Sequence, residues 1–147
     1  MIEVKYLIKD LNINKGDTLM LVSDVSSLLN LYRKKNEIFD INLFIDLILE
    51  KIGLNGTLVI PTFNFAFCKG ITFDYHNTPP HTGSLAKVAL KRKDFKRTKN
   101  PMHSFVACGK DKENFFNLKH SSSFGKDSPF YYLHKKKAKY LWKFKNY

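Results

Sequence analysis

Hydrophobic residues follow a helical period at two places in this chain and form short apolar runs elsewhere. Val4, Leu7, Ile8 and Leu11 recur at i, i+3, i+4, i+7 and predict a short amphipathic helix over residues 2–11. Gly16-Asp17 makes a turn, and Thr18 to Ser23 (TLMLVS) is an apolar run of strand length. Asp40 is placed to cap a helix from Ile41 to about Ile52, with Ile41, Phe44, Ile45, Ile48 and Ile52 on one face. Gly53 stands where a left-handed residue ends a helix. After the Asn55-Gly56 turn, Thr57 to Phe63 reads as a second strand, with Pro61 marking its end or a lost ladder bond.

Residues 64–82 have no regular period, and a stretch this long inside one domain is usually functional or mobile. Gly83-Ser84 opens a helix to about Lys91, and Ser104 to Cys108 is a third strand ending at Gly109. Asp111 to Leu118 reads as a helix with acidic residues in its first turn. Ser128-Pro129 opens another, with proline at a permitted position, and Ala138 to Phe144 reads as a strand. Strands alternate with helices, so the fold class is α/β, a single domain over residues 1–147.

Composition narrows the setting. At 147 residues, 44% hydrophobic and 14% aromatic, the chain has the material for a real core. No apolar stretch approaches the ~20 residues of a membrane span, and the charged N-terminal segment does not read as a signal peptide. The expectation is a cytoplasmic protein with no membrane partner. Cys68 and Cys108 fit no zinc or redox spacing, so they are expected as reduced thiols, with no metal.

The formal net charge of +12 is unevenly spread: residues 1–64 carry 7 basic and 8 acidic side chains, residues 65–147 carry 18 and 5. Such asymmetry fits an anionic partner, or compositional drift toward lysine. Nucleic acid is the less favoured partner, because base readers rely on arginine and this chain has Arg33, Arg92 and Arg97 alone.

Three segments can carry chemistry. Ser23-Asp24-Val25-Ser26-Ser27-Leu28 follows a strand and precedes a helical stretch. Its hydroxyls and helix-start N–H groups suit an anion or amide, or simply cap the helix. The segment from Arg97 to Gly109 (RTKNPMHSFVACG) offers a guanidinium fork for a phosphate and His103 as a base or a capped surface histidine. Gly125-Lys126-Asp127-Ser128-Pro129 is a helix start, either an anion site or an ordinary cap. A Cys108–His103 nucleophile pair is disfavoured, since strand positions alternate faces.

In series, these blocks resemble the aminoglycoside N3-acetyltransferase family. The resemblance rests on Gly16-Asp17-Thr18-Leu19 with the serine loop, Gly56-Thr57-Leu58 with Pro61-Thr62-Phe63, and Phe73-Asp74, Thr78-Pro79 and Gly83. It continues through Arg97, Thr98, Pro101, Ser104, Ala107 and Gly109 to Gly125, Ser128 and Pro129, covering residues 16–141. It implies an aminoglycoside 3-N-acetyltransferase-like fold present as its N-terminal part, an incomplete mixed sheet flanked by helices. It implies acetyl-CoA as cosubstrate, with Ser23, Ser26, Ser27, Arg97, Thr98 and Ser104 at the CoA site. The implied reaction is direct acetyl transfer to the 3-amino group of an aminoglycoside, assisted by a general base. The histidine of the family's T-x-x-H-x-x-E segment falls beyond residue 147, so no catalytic residue is assigned. The chain alone is expected to be inactive, or completed by a separately encoded C-terminal half. Lys87 stands where relatives often carry glutamate, which leaves open an amino-sugar acetyltransferase of surface or flagellar glycan synthesis.

Overall fold

The computed structural model describes residues 4–119 and 121–142. Among these residues five strands form one mixed sheet in the order β3-β4-β2-β1-β5. The strands are β1 (Thr18–Leu21), β2 (Thr57–Pro61), β3 (Lys96–Arg97), β4 (Phe105–Gly109) and β5 (Lys139–Leu141). β1 lies parallel to β2 and β5, whereas β4 is antiparallel to β2 and β3. Helices α1 (Val4–Lys9), α2 (Ser26–Lys34), α3 (Ile41–Ile52), α4 (Ser84–Lys91), α5 (Lys112–Phe116) and α6 (Pro129–Lys135) surround it.

The strand period sorts side chains to the two faces. Leu19, Leu21, Leu58, Ile60 and Val106 join one core with Phe44, Ile45, Ile48 and Ile52 of α3 and Leu85 and Ala89 of α4. Met20, Val59, Phe105 and Ala107 point the other way, onto Phe115 of α5 and Leu133 of α6. Covered on both faces, β1 and β2 read as continuous apolar runs, as central parallel strands do. α1 is fastened to the larger core by Lys51, whose Nζ donates to the carbonyls of Ile8, Lys9 and Leu11 at 2.7–2.9 Å.

The helix ends follow their local chemistry. The Asp40 carboxylate accepts from Leu43 N at 3.1 Å, and Gly53 closes α3 at φ 69°. Ser128 Oγ accepts from Tyr131 N at 3.2 Å, so the Ser128-Pro129 start is a helix cap with proline in the first turn. Two expectations shift. The helix expected over Asp111 to Leu118 is the single-turn α5, and the short β3 was not foreseen. The strand expected to Phe144 is β5 at Lys139–Leu141, and residues 143–147 lie outside the described residues. No described helix is long and apolar enough to cross a membrane.

Candidate functional site

β1 and β2 run side by side in one direction, and a cleft opens at their C-terminal ends, where parallel sheets commonly bind ligands. It consists of two contiguous cavities of about 320 and 280 Å³ that share Val22, Ser23, Thr82 and Leu85. One is walled by the serine loop, Ser23 to Ser26, facing Gly83 and Ser84 at the start of α4. The other runs deeper, over Met20, Ile60, Pro61 and Phe63. The first turns of α2 and α4 therefore border the same space. Their unshared N–H groups favour carbonyl or anionic oxygen.

Local sequence explains this arrangement. The chain leaves β1 at Val22, whose N–H donates to Leu141 O at 2.9 Å, and Ser23 Oγ donates to the same carbonyl at 3.1 Å. That tie holds the loop against β5. Asp24 Oδ1 accepts from Ser26 N at 2.9 Å and turns the chain into α2. Opposite, Gly83 enters α4 at φ 95°, a conformation that favours glycine. Thr82 Oγ1 donates to Pro61 O at 2.6 Å and pins that wall to the end of β2.

Of the serines expected at CoA, Ser23 and Ser26 line the cleft, and Ser27 follows in the first turn of α2. Arg97, Thr98 and Ser104, expected at the same ligand, are buried beside it and line neither cavity. The Arg97 guanidinium, 3% exposed, donates to Ser104 Oγ (3.0 Å), Thr78 O (2.7 Å), Tyr75 O (3.3 Å) and Thr62 O (3.3 Å). Burial lowers its pKa below the ordinary guanidinium value. Ser104 Oγ donates to Thr62 O at 2.9 Å and meets Thr62 Oγ1 at 2.9 Å. Thr98 Oγ1 accepts from Phe105 N, and Thr98 N donates to Phe105 O, which locks the β3–β4 hairpin. In this geometry Arg97 and Ser104 fix the Thr62 wall, Arg97 also fixes the 75–78 loop, and Thr98 fixes the hairpin, rather than reaching into the open space.

The histidines have other employments. Asn64 Oδ1 accepts from Ala66 N at 2.8 Å and its Nδ2 donates to Pro79 O at 2.6 Å. The amide orientation is therefore fixed, and its second N–H faces His81 Nε2 at 3.2 Å. His81 Nε2 accepts there, which places its proton on Nδ1. His103 sits among Phe63, Phe65, Phe124 and Phe130, with Nδ1 2.8 Å from Ser123 Oγ. Burial holds its pKa below the ordinary value. Cys108 lies by Asp94, with a pKa pushed up to about 11 by burial and then by that carboxylate, and forms no pair with His103. None of the described histidines lines either cavity, and His120 lies outside the described residues. Among the described residues no group of three or more His, Cys, Asp or Glu could hold a metal ion.

Sequence reasoning missed Thr82, Gly83 and Ser84 as a cleft wall. A glycine directly before a serine at a helix start was the available signal.

The family pattern of aminoglycoside 3-N-acetyltransferases matches residues 26–142. No curated protein sequence matches this chain. Among solved structures, YokD from Bacillus subtilis is similar at 20% identity and TM-score 0.73, with 89% of this chain covering 59% of that one. AAC-IIIb in binary complex with CoASH is 19% identical at TM-score 0.70, over 90% of this chain and 54% of its own. Sisomicin-bound AAC-VIa is 17% identical at TM-score 0.74, over 93% and 56%. The chain thus spans little more than half the length of these structures. At such identity they establish a shared fold: the mixed sheet flanked by helices.

Proposed function

We propose that this chain, which belongs to the aminoglycoside 3-N-acetyltransferase family, contributes the acetyl-CoA-binding part of an enzyme that acetylates the 3-amino group of an aminoglycoside. The cleft between the starts of α2 and α4 carries this reading. Ser26 and the N–H groups of the two first turns offer donors to the amides, phosphates and thioester carbonyl of the cosubstrate, with Ser27 beside them and Ser23, whose hydroxyl is engaged at Leu141 O, holding the loop. Arg97 and Ser104 support the reading as positioning residues, because they hold the Thr62 carbonyl that continues the cleft wall, and Thr98 fixes the hairpin that carries them both. The CoASH complex of AAC-IIIb supports the choice of cosubstrate, and the sisomicin complex of AAC-VIa supports the acceptor class.

Acetyl transfer requires a neutral amine, so a base must take a proton from the sugar ammonium. The described histidines offer none at the cleft: His81 Nε2 is occupied by Asn64, and His103 is enclosed by phenylalanines. On this reading the base is supplied from outside the described residues, by further polypeptide or by a separate chain. The isolated chain binds acetyl-CoA weakly and does not turn over.

A second reading has its own observation. Lys87, exposed one turn into α4 from the cleft-lining Ser84, adds positive charge near the mouth and disfavours a polycationic acceptor. It favours an anionic, nucleotide-linked amino sugar of surface or flagellar glycan synthesis. Thiol release from acetyl-CoA separates the readings, with a kanamycin-type amine and a nucleotide-linked amino sugar tested in parallel. The assay uses residues 1–147 with and without a relative's C-terminal half supplied by co-expression. Turnover of the aminoglycoside in the complemented sample supports the first reading. Turnover by residues 1–147 alone overturns the claim that the base lies elsewhere.

A further inference from the structure

A second groove lies away from the serine cleft, between the 73–75 loop, α5 and the turn after β3. Phe73, Tyr75 and Phe116 surround an apolar cavity of about 360 Å³ with Lys99 at its side. A neighbouring cavity of about 340 Å³ shares Lys99 and Phe116 and adds Asn117, Lys119 and Ser121. The three rings are half-buried, so part of each remains open to solvent.

The two halves differ in chemistry. The Tyr75 hydroxyl is engaged, donating to Arg97 O at 2.7 Å, so the ring half offers aromatic surface. The Nζ atoms of Lys96 and Lys99 lie 4.9 and 4.6 Å from the centre of the Phe116 ring. Lys96 is neutralised by Glu113 at 2.7 Å, whereas Lys99 and Lys119 have no ion-pair partner among the described residues. The Asp74 carboxylate of the same loop accepts from His76 N, Asn77 N and Asn77 Nδ2. A flat ring packs on the open parts of Phe73, Tyr75 and Phe116, and an anionic group pairs with Lys99 and Lys119. A flat ring joined to an anionic group satisfies both halves.

We infer that this groove binds a nucleoside phosphate, with the base against Phe73, Tyr75 and Phe116 and the phosphate at Lys99 and Lys119. Stacking on aromatic rings is tolerant of base identity, and lysine serves phosphate as a point charge. The ligand has two possible sources, a free nucleotide or the nucleotide end of coenzyme A; in the second case the site rests on the acetyl-CoA reading.

AMP is titrated into the 1–147 protein and followed by amide NMR shifts. Saturable shifts at Tyr75, Lys99, Phe116 and Lys119 are expected. Lys99→Glu and Phe73→Ala should each weaken binding about fivefold or more, and adenosine or inorganic phosphate alone should bind at least about tenfold more weakly. Displacement of AMP by CoA identifies the cosubstrate as the source; simultaneous binding identifies a free nucleotide. Absence of AMP shifts in the groove, or equal binding by both folded variants, overturns the site. AMP carries no thioester, so that failure leaves the acetyl-transfer reading standing.

Discussion

Arg97 Nε lies 3.0 Å from Ser104 Oγ, and both side chains are buried at the end of β2. The contact joins the two halves of the most specific sequence block and anchors three backbone carbonyls of distant segments to one cation. Ser104→Ala removes a hydroxyl that serves Arg97 and Thr62 and is expected to cost about 1–3 kcal/mol. Arg97→Met takes the donor from the Tyr75 and Thr78 carbonyls and is expected to cost about 1–3 kcal/mol for each carbonyl left unpaired. Urea unfolding measures both, and a loss below half a kilocalorie for Arg97→Met, about the noise of a surface change, would contradict the anchoring role.

Gly109 ends β4 at φ 112°, and a Cβ added there would collide with the Gly56 carbonyl oxygen. Gly70 has φ 77° but open space around it. Gly70→Ala should cost about 1–2 kcal/mol from backbone strain, and Gly109→Ala clearly more, because the collision adds to it. Equal melting temperatures for the two variants would refute the close approach of Gly109 to Gly56.

The thiols should differ in reactivity. Cys108 is half-buried with a pKa near 11, and Cys68 is exposed. At pH 8 the thiolate population at Cys108 is very small, so alkylation of the folded protein should label Cys68 well before Cys108. Mass spectrometry of quenched samples reads the order, and fast labelling of Cys108 would show that its site is open.

His103 links stability to pH. Burial lowers its folded pKa below 6.5, the ordinary value that applies in the unfolded chain. Its contribution is therefore fully present above the unfolded value and is lost as pH falls through the depressed folded one. Urea unfolding from about pH 7.5 down to pH 5 should show this decline. His103→Phe, placed among Phe63, Phe65, Phe124 and Phe130, should flatten it. An unchanged slope would assign the acid sensitivity to other groups.

Much of the fold is legible because its signals are local. Asp40, Gly53, Gly83-Ser84 and Ser128-Pro129 mark helix ends within a residue, since capping depends on neighbours three or four positions away. β3 escapes such reading: two residues carry no period, and Lys96-Arg97 becomes a strand through pairing with Val106 and Ala107. The site divides in the same way. The serine loop is visible because strand end and helix start are adjacent in sequence. The role of Arg97 is not, because its acceptors are backbone carbonyls at 62, 75 and 78 that only folding brings near. Thr82 joins the cleft by a bond to Pro61, 21 residues away.

The most direct measurement maps CoA onto the 1–147 protein by amide NMR at millimolar ligand. Weak, saturable shifts are predicted at Ser23–Ser27 and Thr82–Ser84, and Ser26→Glu should abolish them. Shifts that bypass both helix starts, or that survive Ser26→Glu unchanged, would contradict the assignment of the cleft.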